Sequence, residues 1–402
     1  MPDHPEQHTS YSHSSAIAMP YPAGVGSVAL LVGTSLAVLC QLYAAIALML
    51  PVGADFHGDA ALALSTMFTF SYATGFLIWG PIAGRYGRKR VMLIGLSVLV
   101  VATAVCAIAP SLPVLGVMRA LQGFAASSFP PVALTYVSEA VHPERRQGAI
   151  GAMSTGFLVA GILGQVIAQV VSQTVGWPWM FLGSAIVLVA CAIVIGVVIQ
   201  ETHQQGHSGS LVDQFAAIGR LCMTRKMVFL CGANITTLFV FVAMYTALGS
   251  HLTTLGYSND TVLLIRAIGL PGMFFALAHG VAVRWLGGLI AVARAGLLLA
   301  ATGIVLMAIW SDSLLGIAVA STIVVIGVAI NIPSMIGLFI EASASQRSAG
   351  MAINGVVIFT GASLGPILAT TGMSFGVLMI VLAVILGVGA LSVSVTARHM
   401  TT

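Results

Sequence analysis

Charged side chains are scarce in this sequence. Its 402 residues include 15 Lys or Arg and 11 Asp or Glu, so that 6% are charged, while 58% are hydrophobic. A soluble domain typically carries about 25% charged residues because water must solvate its surface. The deficit excludes an ordinary soluble domain and indicates that most of the outer surface faces lipid. The net charge of +4 therefore does not indicate a nucleic-acid partner.

Residues that form metal or catalytic sites are also few and scattered. The five cysteines show no metal-ligand spacing, and an odd number of them argues against a disulfide framework. A membrane-embedded enzyme would need grouped His, Asp or Ser residues inside its apolar runs, and no such group is present in the sequence. We therefore predict no catalytic residue, no metal site and no cofactor.

Long apolar runs, in contrast, recur along the whole chain. A bilayer core of about 30 Å requires about 20 apolar helical residues. Twelve runs of roughly that length lie near 26–50, 60–83, 91–109, 113–137, 149–172, 176–199, 227–249, 260–283, 290–309, 314–340, 348–370 and 374–396. The sequence thus predicts an all-α membrane protein with twelve transmembrane helices.

One long hydrophilic interruption separates the runs into two sets of six. We predict a disordered cytoplasmic tail over 1–24, a six-helix bundle over 25–200, a cytoplasmic loop over 201–226 and a second bundle over 227–397. The tail lacks the Lys or Arg with which a signal peptide begins.

The two halves also repeat each other in sequence. Residues 80–87 align with 280–287, and residues 160–165 align with 361–366, at offsets of about 200 positions. A parallel repeat of this kind predicts two pseudo-symmetric bundles, with the substrate site at their interface near the middle of the bilayer.

Basic residues cluster in the loops of one side only. They are Arg85, Arg88, Lys89, Arg90, Arg145, Arg146, Arg220, Arg225, Lys226, Arg284, Arg294, Arg347 and Arg398. Cytoplasmic loops are enriched in Lys and Arg. We therefore expect both termini and the central loop to be cytoplasmic, in a multi-pass protein of the cell inner (plasma) membrane.

The loop after the second span reads Gly-Pro-Ile-Ala-Gly-Arg-Tyr-Gly-Arg-Lys-Arg over 80–90. It resembles the loop signature of the major facilitator superfamily, Gly-x-x-x-Asp-Arg-x-Gly-Arg-Arg/Lys. The resemblance implies a conformational motif in which basic side chains contact helix C-termini and acids between the domains; the alternative is a purely topogenic loop. The motif positions are Gly80, Gly84, Arg85, Gly87, Arg88, Lys89 and Arg90. Gly84 replaces the family's Asp, which puts a charge relay through that carboxylate in doubt.

Span four contains Arg119-Ala-Leu-Gln-Gly, which resembles the family's Arg-x-x-Gln-Gly pattern. An arginine at a helix centre costs roughly 2.5–3.5 kcal/mol, so it should face a cavity or a partner. The resemblance implies proton coupling or substrate binding, while an arginine bonded to neighbouring carbonyls is the structural alternative. Span five, over 156–165, matches the antiporter signature Gly-x-x-x-Gly-Pro-x-x-Gly-Gly only in part. Together these motifs imply the drug and metabolite efflux (drug:proton antiporter-like) branch.

None of the eleven acidic residues lies near the centre of a span. Many proton-coupled carriers use such a buried carboxyl group. The candidates for coupling are therefore Arg119 and the marginal acids Asp55, Asp59 and Glu139. We expect the three acids, and His279 late in span eight, to be solvated groups at helix ends.

Two cations lie within spans without a buried anion, which would suit an anionic or a neutral polar substrate. The cavity candidates are Arg119, Gln122, Gln41, Tyr43, Tyr72, Tyr245, Arg266, Asn331 and Asn354. A single Asn or Tyr in a membrane helix often bonds to another helix instead of a ligand.

The leading interpretation is a secondary transporter that exports a drug-like compound or metabolite by alternating access, with proton coupling left open. The alternative is an organic-anion importer or facilitator. We expect a monomer whose partners are a small-molecule substrate, the lipid bilayer and, if transport is coupled, protons.

Overall fold

The computed structural model describes residues 23–58, 60, 62–201, 211–343, 346–369 and 371–400. These residues are helical or lie in short connections, and they contain no strand. Asp59, most of the predicted tail and part of the central loop fall outside the described residues. The prediction of an all-α membrane protein is confirmed.

The helices follow one another along the chain with short connections. The first half contains α1 (Val25–Phe56), a π-helical turn (Leu62–Thr66), α2 (Met67–Tyr86), α3 (Arg88–Cys106), α4 (Leu112–Ala126), α5 (Pro130–Ala140), α6 (Pro143–Thr174) and α7 (Trp177–Val198). The second half contains α8 (Leu211–Cys222), α9 (Arg225–Thr254), α10 (Asn259–Ile268), α11 (Leu270–Met273), a 3₁₀ turn (Phe274–Ala278), α12 (His279–Leu286), α13 (Leu289–Ile309), α14 (Leu314–Ala342), α15 (Arg347–Ala369) and α16 (Phe375–Met400).

Eleven stretches of the described chain are long and apolar enough to cross a membrane. They correspond to eleven of the twelve predicted spans. The predicted fourth span is instead divided into α4 and α5, each shorter than one crossing. The division lies where Pro130 and Pro131 begin α5, because proline lacks the N–H that would continue the hydrogen bonds of α4.

The outer surface of these helices is apolar. Ile108, Val197 and Leu391 are all more than two thirds exposed, and many other large hydrophobic side chains are exposed to a smaller extent. Such exposure would be costly in water but is expected where helices face hydrocarbon. By contrast, most of the apolar window of α14 is buried, so this helix lies in the interior.

Helices of each half pack mainly against one another. In the first half α1 packs on α6, α2 on α4 and α3 on α7; in the second half α13 packs on α14 and α16, and α9 on α15 and α16. Small residues permit the closest approaches, since a side chain on Gly327 would lie 2.6 Å from the Gly296 carbonyl oxygen. This is the packing expected of helices in lipid.

Contacts between the halves concentrate at one end. There α2 and α5 pack on α15, while α6 packs on α12, α14 and the 3₁₀ turn. We call this end the basic end, because Arg88, Arg145, Arg284 and Arg347 all lie there at helix termini.

Candidate transport pathway

A cavity of about 1140 Å³ lies between the two halves, away from the basic end. α1 and α6 form its wall on one side and α9 and α10 on the other. Gln169, in this wall, is separated from Arg145 at the start of α6 by about 36 Å of helix rise. The halves are therefore apart at one end of the molecule and in contact at the other.

Neutral polar side chains form much of the cavity wall. Gln165, Gln169 and Gln173 recur every fourth residue on α6 and so lie along one face of that helix. Thr246 and Ser250 line the cavity from α9. Sequence analysis missed this row, although its spacing of four residues within an apolar run was a signal for it.

Arg266 is the one charged residue among the described residues that line this cavity. Its Nη2 donates to the main-chain oxygen of Tyr245 at 3.3 Å, and its buried Nε has no hydrogen-bond partner. On the neighbouring helix Gly249 leaves room, because a Cβ built there would lie 3.6 Å from Nη2. Because Nε is buried, the donors that the guanidinium keeps for a ligand at the cavity wall are those of its terminal nitrogens that Tyr245 does not engage.

At the basic end, α2, α5 and α6 of the first half contact α12, α14, α15 and the 3₁₀ turn of the second half, and we call this closed contact surface the seam. Several of its contacts are close approaches of the main chain. A side chain on Gly151 of α6 would overlap the main chain at Ala276, and one on Gly280 would lie 3.3 Å from the nitrogen of Gly148. Gly355 of α15 similarly lies against the ring of Phe76 of α2. Substrate-sized space is thus absent along these described contacts.

Aromatic rings continue the seam toward the middle of the molecule. Phe359 of α15 packs edge-on against Tyr72, with ring centroids 5.2 Å apart, and lies 5.4 Å from Phe76. The Tyr72 hydroxyl is buried without a hydrogen-bond partner.

His279 also lies in the seam and is fully buried. Its Nε2 lies 3.3 Å from Gln147 Oε1 of the first half, and its Nδ1 lies 3.4 Å from Ser334 Oγ of α14. The expectation of a solvated helix-end group is wrong for this residue, because the close approach of α6 covers the ring.

Arg119 is held in a network inside the first half. The side chain is 1% exposed, and it donates from Nε to Leu64 O at 2.8 Å, from Nη2 to Gln41 O at 3.1 Å and from Nη1 to Gln122 Oε1 at 2.5 Å. Gln122 donates in turn to Thr103 Oγ1 at 2.8 Å. We call these five residues the Arg119 network.

The remaining cavity candidates of the second half bond to side chains of that half. Tyr245 Oη lies 3.0 Å from Ser321 Oγ, Asn331 donates to Thr237 at 2.8 Å, and Asn354 accepts from Asn234 at 3.0 Å. In the first half, the ring of Tyr43 packs over Gly161. Of the nine candidates, Arg266 is the one among the residues that line the cavity.

The loop motif is anchored by two glutamates. Arg88 pairs with Glu139 of α5 at 3.0 Å. Glu201 accepts from the main-chain N–H groups of Lys89 and Arg90, which neutralises the N-terminus of α3. Gly87 has φ of 102° and lies so close to Glu201 that a side chain would meet the carboxylate. Sequence analysis gave Glu201 no role, because it lies far from the motif along the chain.

The other motif positions lie at or near the end of α2. Gly80 is buried, Gly84 is half-buried, and the guanidinium of Arg85 lies 5.6 Å from the centroid of the Tyr86 ring. A hydrogen bond outside the motif joins the halves at this end: Arg347 Nη1 donates to the main-chain oxygen of Ser138 at 3.0 Å.

The marginal acids are engaged rather than free. Asp55 accepts from Trp177 Nε1 at 2.6 Å, and Glu139 pairs with Arg88 as above. Asp59 lies outside the described residues.

Comparison with known proteins identifies related sequences. Residues 30–366 match the family model described as Major Facilitator Superfamily. Multidrug resistance protein 3 of Bacillus subtilis is 28% identical over 118 residues, which are 29% of this chain and 23% of the relative. Multidrug export protein EmrB of Haemophilus influenzae is 29% identical over 161 residues, which are 39% of this chain and 32% of the relative. The chain thus matches no more than a third of the length of either relative.

Proposed function

The chain belongs to the major facilitator superfamily, and on that premise we propose that it exports a small organic molecule by alternating access. Members of this family are transporters, so the chain is a multi-pass membrane protein with a small-molecule substrate. The exported molecule, on this proposal, is a drug-like compound or a metabolite.

The cavity between the halves is the observation that carries the proposal. It is closed at the basic end by the contacts of α6 and α15, and the halves stand apart around it toward the opposite end. Alternating access requires a central site that reaches one side of the membrane at a time. With the basic end in the cytoplasm, as the positive-inside rule favours, this conformation would face outward.

Export is favoured by the relatives and by the motifs. Two relatives are named as a multidrug resistance protein and a multidrug export protein, and span five keeps part of the antiporter signature. We further propose a monomer in the inner membrane, with both termini cytoplasmic and with bundles over 25–200 and 227–397.

Proton coupling is the second part of the proposal. The described cavity lining contains no Asp or Glu, so coupling would use groups outside it. Arg119, Asp55, Asp59 and Glu139 are the proposed candidates.

Transport into everted membrane vesicles tests this function. Vesicles containing the chain should accumulate members of a radiolabelled panel of anionic, neutral and cationic small molecules when an inside-acid pH gradient is imposed. The matched control is Gly151→Leu, whose side chain would prevent the seam from closing. Equal accumulation by both proteins would contradict the proposal, and accumulation that ignores the gradient would exclude proton coupling.

Import or facilitated passage of an organic anion is the second candidate. The observation that favours it is the lone charge of Arg266 in the described cavity wall. Accumulation in right-side-out vesicles, with none in everted vesicles, would establish import in place of export, and equilibration without accumulation in both kinds of vesicle would establish facilitated passage.

A further inference from the structure

We propose that Arg266 selects substrates by charge. The cavity, on this proposal, binds small organic monoanions, such as carboxylates or sulfonates, that also carry neutral hydrogen-bonding groups. This inference rests on the proposed transport function and names the substrate class of the same site. It holds for either direction of transport.

The charge balance of the cavity favours an anion. Arg266 carries the one charge among the described lining residues, and no carboxylate among them neutralises it. A charge in a partly apolar site acts on a ligand more strongly than it would in bulk water. A bound monoanion would compensate the arginine, whereas a lipophilic cation would be repelled by it and would find no counter-ion in the described wall.

The geometry of the guanidinium leaves bonds for such an anion. Arginine offers five N–H donors in a planar fork that suits carboxylate oxygens. Here Nη2 donates to one protein acceptor, the Tyr245 oxygen, at 3.3 Å, and Nε is buried, so the donors left for a ligand are the other N–H groups of the two terminal nitrogens. The absent side chain at Gly249 leaves space beside Nη2. An oxyanion would complete bonds that the protein leaves unmade.

The other residues of the cavity wall indicate the chemistry of the ligand beyond its acidic group. Gln169 and Gln173 on α6 and Ser250 on α9 supply neutral donors and acceptors. Ile162 and Leu264 supply apolar surface in the same cavity. An organic acid with polar substituents and a ring or alkyl chain matches both kinds of surface.

A substrate-independent measurement tests the charge of the site. A thiol introduced as Gln169→Cys would be labelled in detergent with two methanethiosulfonate reagents of similar size, the anionic sulfonatoethyl and the cationic trimethylammonioethyl compound. Mass spectrometry of the modified peptides would give the rate at each cysteine. The anionic reagent should be favoured, and adding Arg266→Gln should lower the anion-to-cation rate ratio by about tenfold.

The natural Cys222 is the matched control. It is exposed in α8 at the end of the molecule that carries the basic residues, and so it is far from Arg266. Its rate ratio should not change with Arg266→Gln. Arg266→Lys keeps the charge and should keep the preference at Gln169→Cys. An unchanged ratio at Gln169→Cys in Arg266→Gln would overturn the proposal.

Transport of a matched set separates this inference from the proposed function. Benzoate, benzamide and benzylammonium share a ring and differ in charge. Benzoate should be transported best, and Arg266→Gln should reduce its kcat/KM by about tenfold or more while changing that of benzamide much less. Preference for benzylammonium would overturn the anion proposal and leave transport intact. Failure of the reconstituted chain to move these three compounds and every member of the radiolabelled panel would contradict the transport function itself.

Discussion

The Arg119 network and the seam at the basic end are both buried and polar, but they differ in what they connect. Every partner of Arg119 belongs to the first half, whereas His279 and Arg347 bond from the second half to the first. Alternating access requires the halves to separate and re-form contacts. Bonds within one half can persist through that cycle, whereas bonds across the seam must break. The location of a polar contact therefore decides whether it stabilises the fold or the closed conformation relative to the open one.

The two sets also differ in strength. Arg119 makes three hydrogen bonds and lies 4.3 Å from the centroid of the Phe68 ring. Across the seam, His279 Nε2 lies 3.3 Å from Gln147 Oε1, and Arg347 donates a single hydrogen bond to the main-chain oxygen of Ser138 at 3.0 Å. Each of these two residues makes one hydrogen bond to the other half, against three for Arg119, so each seam contact should cost less to break in a transport cycle.

The largest expected effect is from Arg119→Ala. It leaves a void, removes the bonds to three helical segments and leaves Gln122 without its closest donor. Large-to-small changes of buried side chains typically cost about 2–5 kcal/mol. We expect a loss of about 3 kcal/mol or more, measured as a lower thermal unfolding temperature in detergent.

Two variants make this prediction specific. Arg119→Met fills part of the void and should lie between Arg119→Ala and the native chain. Arg294→Ala removes an exposed arginine of α13 and should leave the unfolding temperature unchanged. Native-like unfolding of Arg119→Ala would show that the network is not a stabilising one, and that Arg119 belongs instead with the moving contacts.

Gly355→Val should affect the seam and not the fold. A Cβ at this position would overlap the Phe76 ring, which Tyr72 and Phe359 hold in place at 5.1 and 5.4 Å. Overpacking costs about 1–3 kcal/mol, so the ratio of closed to open molecules should fall by about five- to 150-fold. Maleimide labelling of Ser334→Cys, which is fully buried in the seam, should accelerate accordingly.

A second substitution tests whether overlap with the Phe76 ring causes the faster labelling. Phe76→Ala removes the opposing ring and should restore slow labelling in the Gly355→Val background. The control is Gly183→Val, because Gly183 has open space around it. Fast labelling that persists after Phe76→Ala would mean that Gly355→Val acts through something other than this contact.

The sequence predicted most of the fold but not the difference between the two regions. The length and apolarity of eleven of the twelve runs predicted the membrane-spanning helices, because crossing a bilayer imposes both; the fourth run forms two shorter helices, α4 and α5. The sequence also predicted that Arg119 needs a cavity or a partner. It could not identify that partner, because two of the acceptors of Arg119 are main-chain oxygens, which every residue has and which no sequence pattern reveals. Arg266 carries the same side chain in a similar run. Only the packing of neighbouring helices separates a closed network from a cavity wall.

The smallest effect expected, and the most direct test of the comparison, comes from two deletions of one hydrogen bond each. Arg347→Gln removes a charge-assisted bond across the seam to Ser138, and Thr103→Val removes the bond from Gln122 inside the Arg119 network. Each of the two hydrogen bonds should contribute about 1 kcal/mol, the usual net value for one hydrogen bond. The charge of Arg347 adds little to this value, because solvent screens the interactions of a partly exposed group. Arg347→Gln should accelerate the labelling of Ser334→Cys about fivefold and leave the unfolding temperature unchanged. Thr103→Val should lower the unfolding temperature and leave the labelling unchanged. If each variant altered both measurements equally, the two regions would act as one unit. The description of two rigid halves that move against each other would then be wrong.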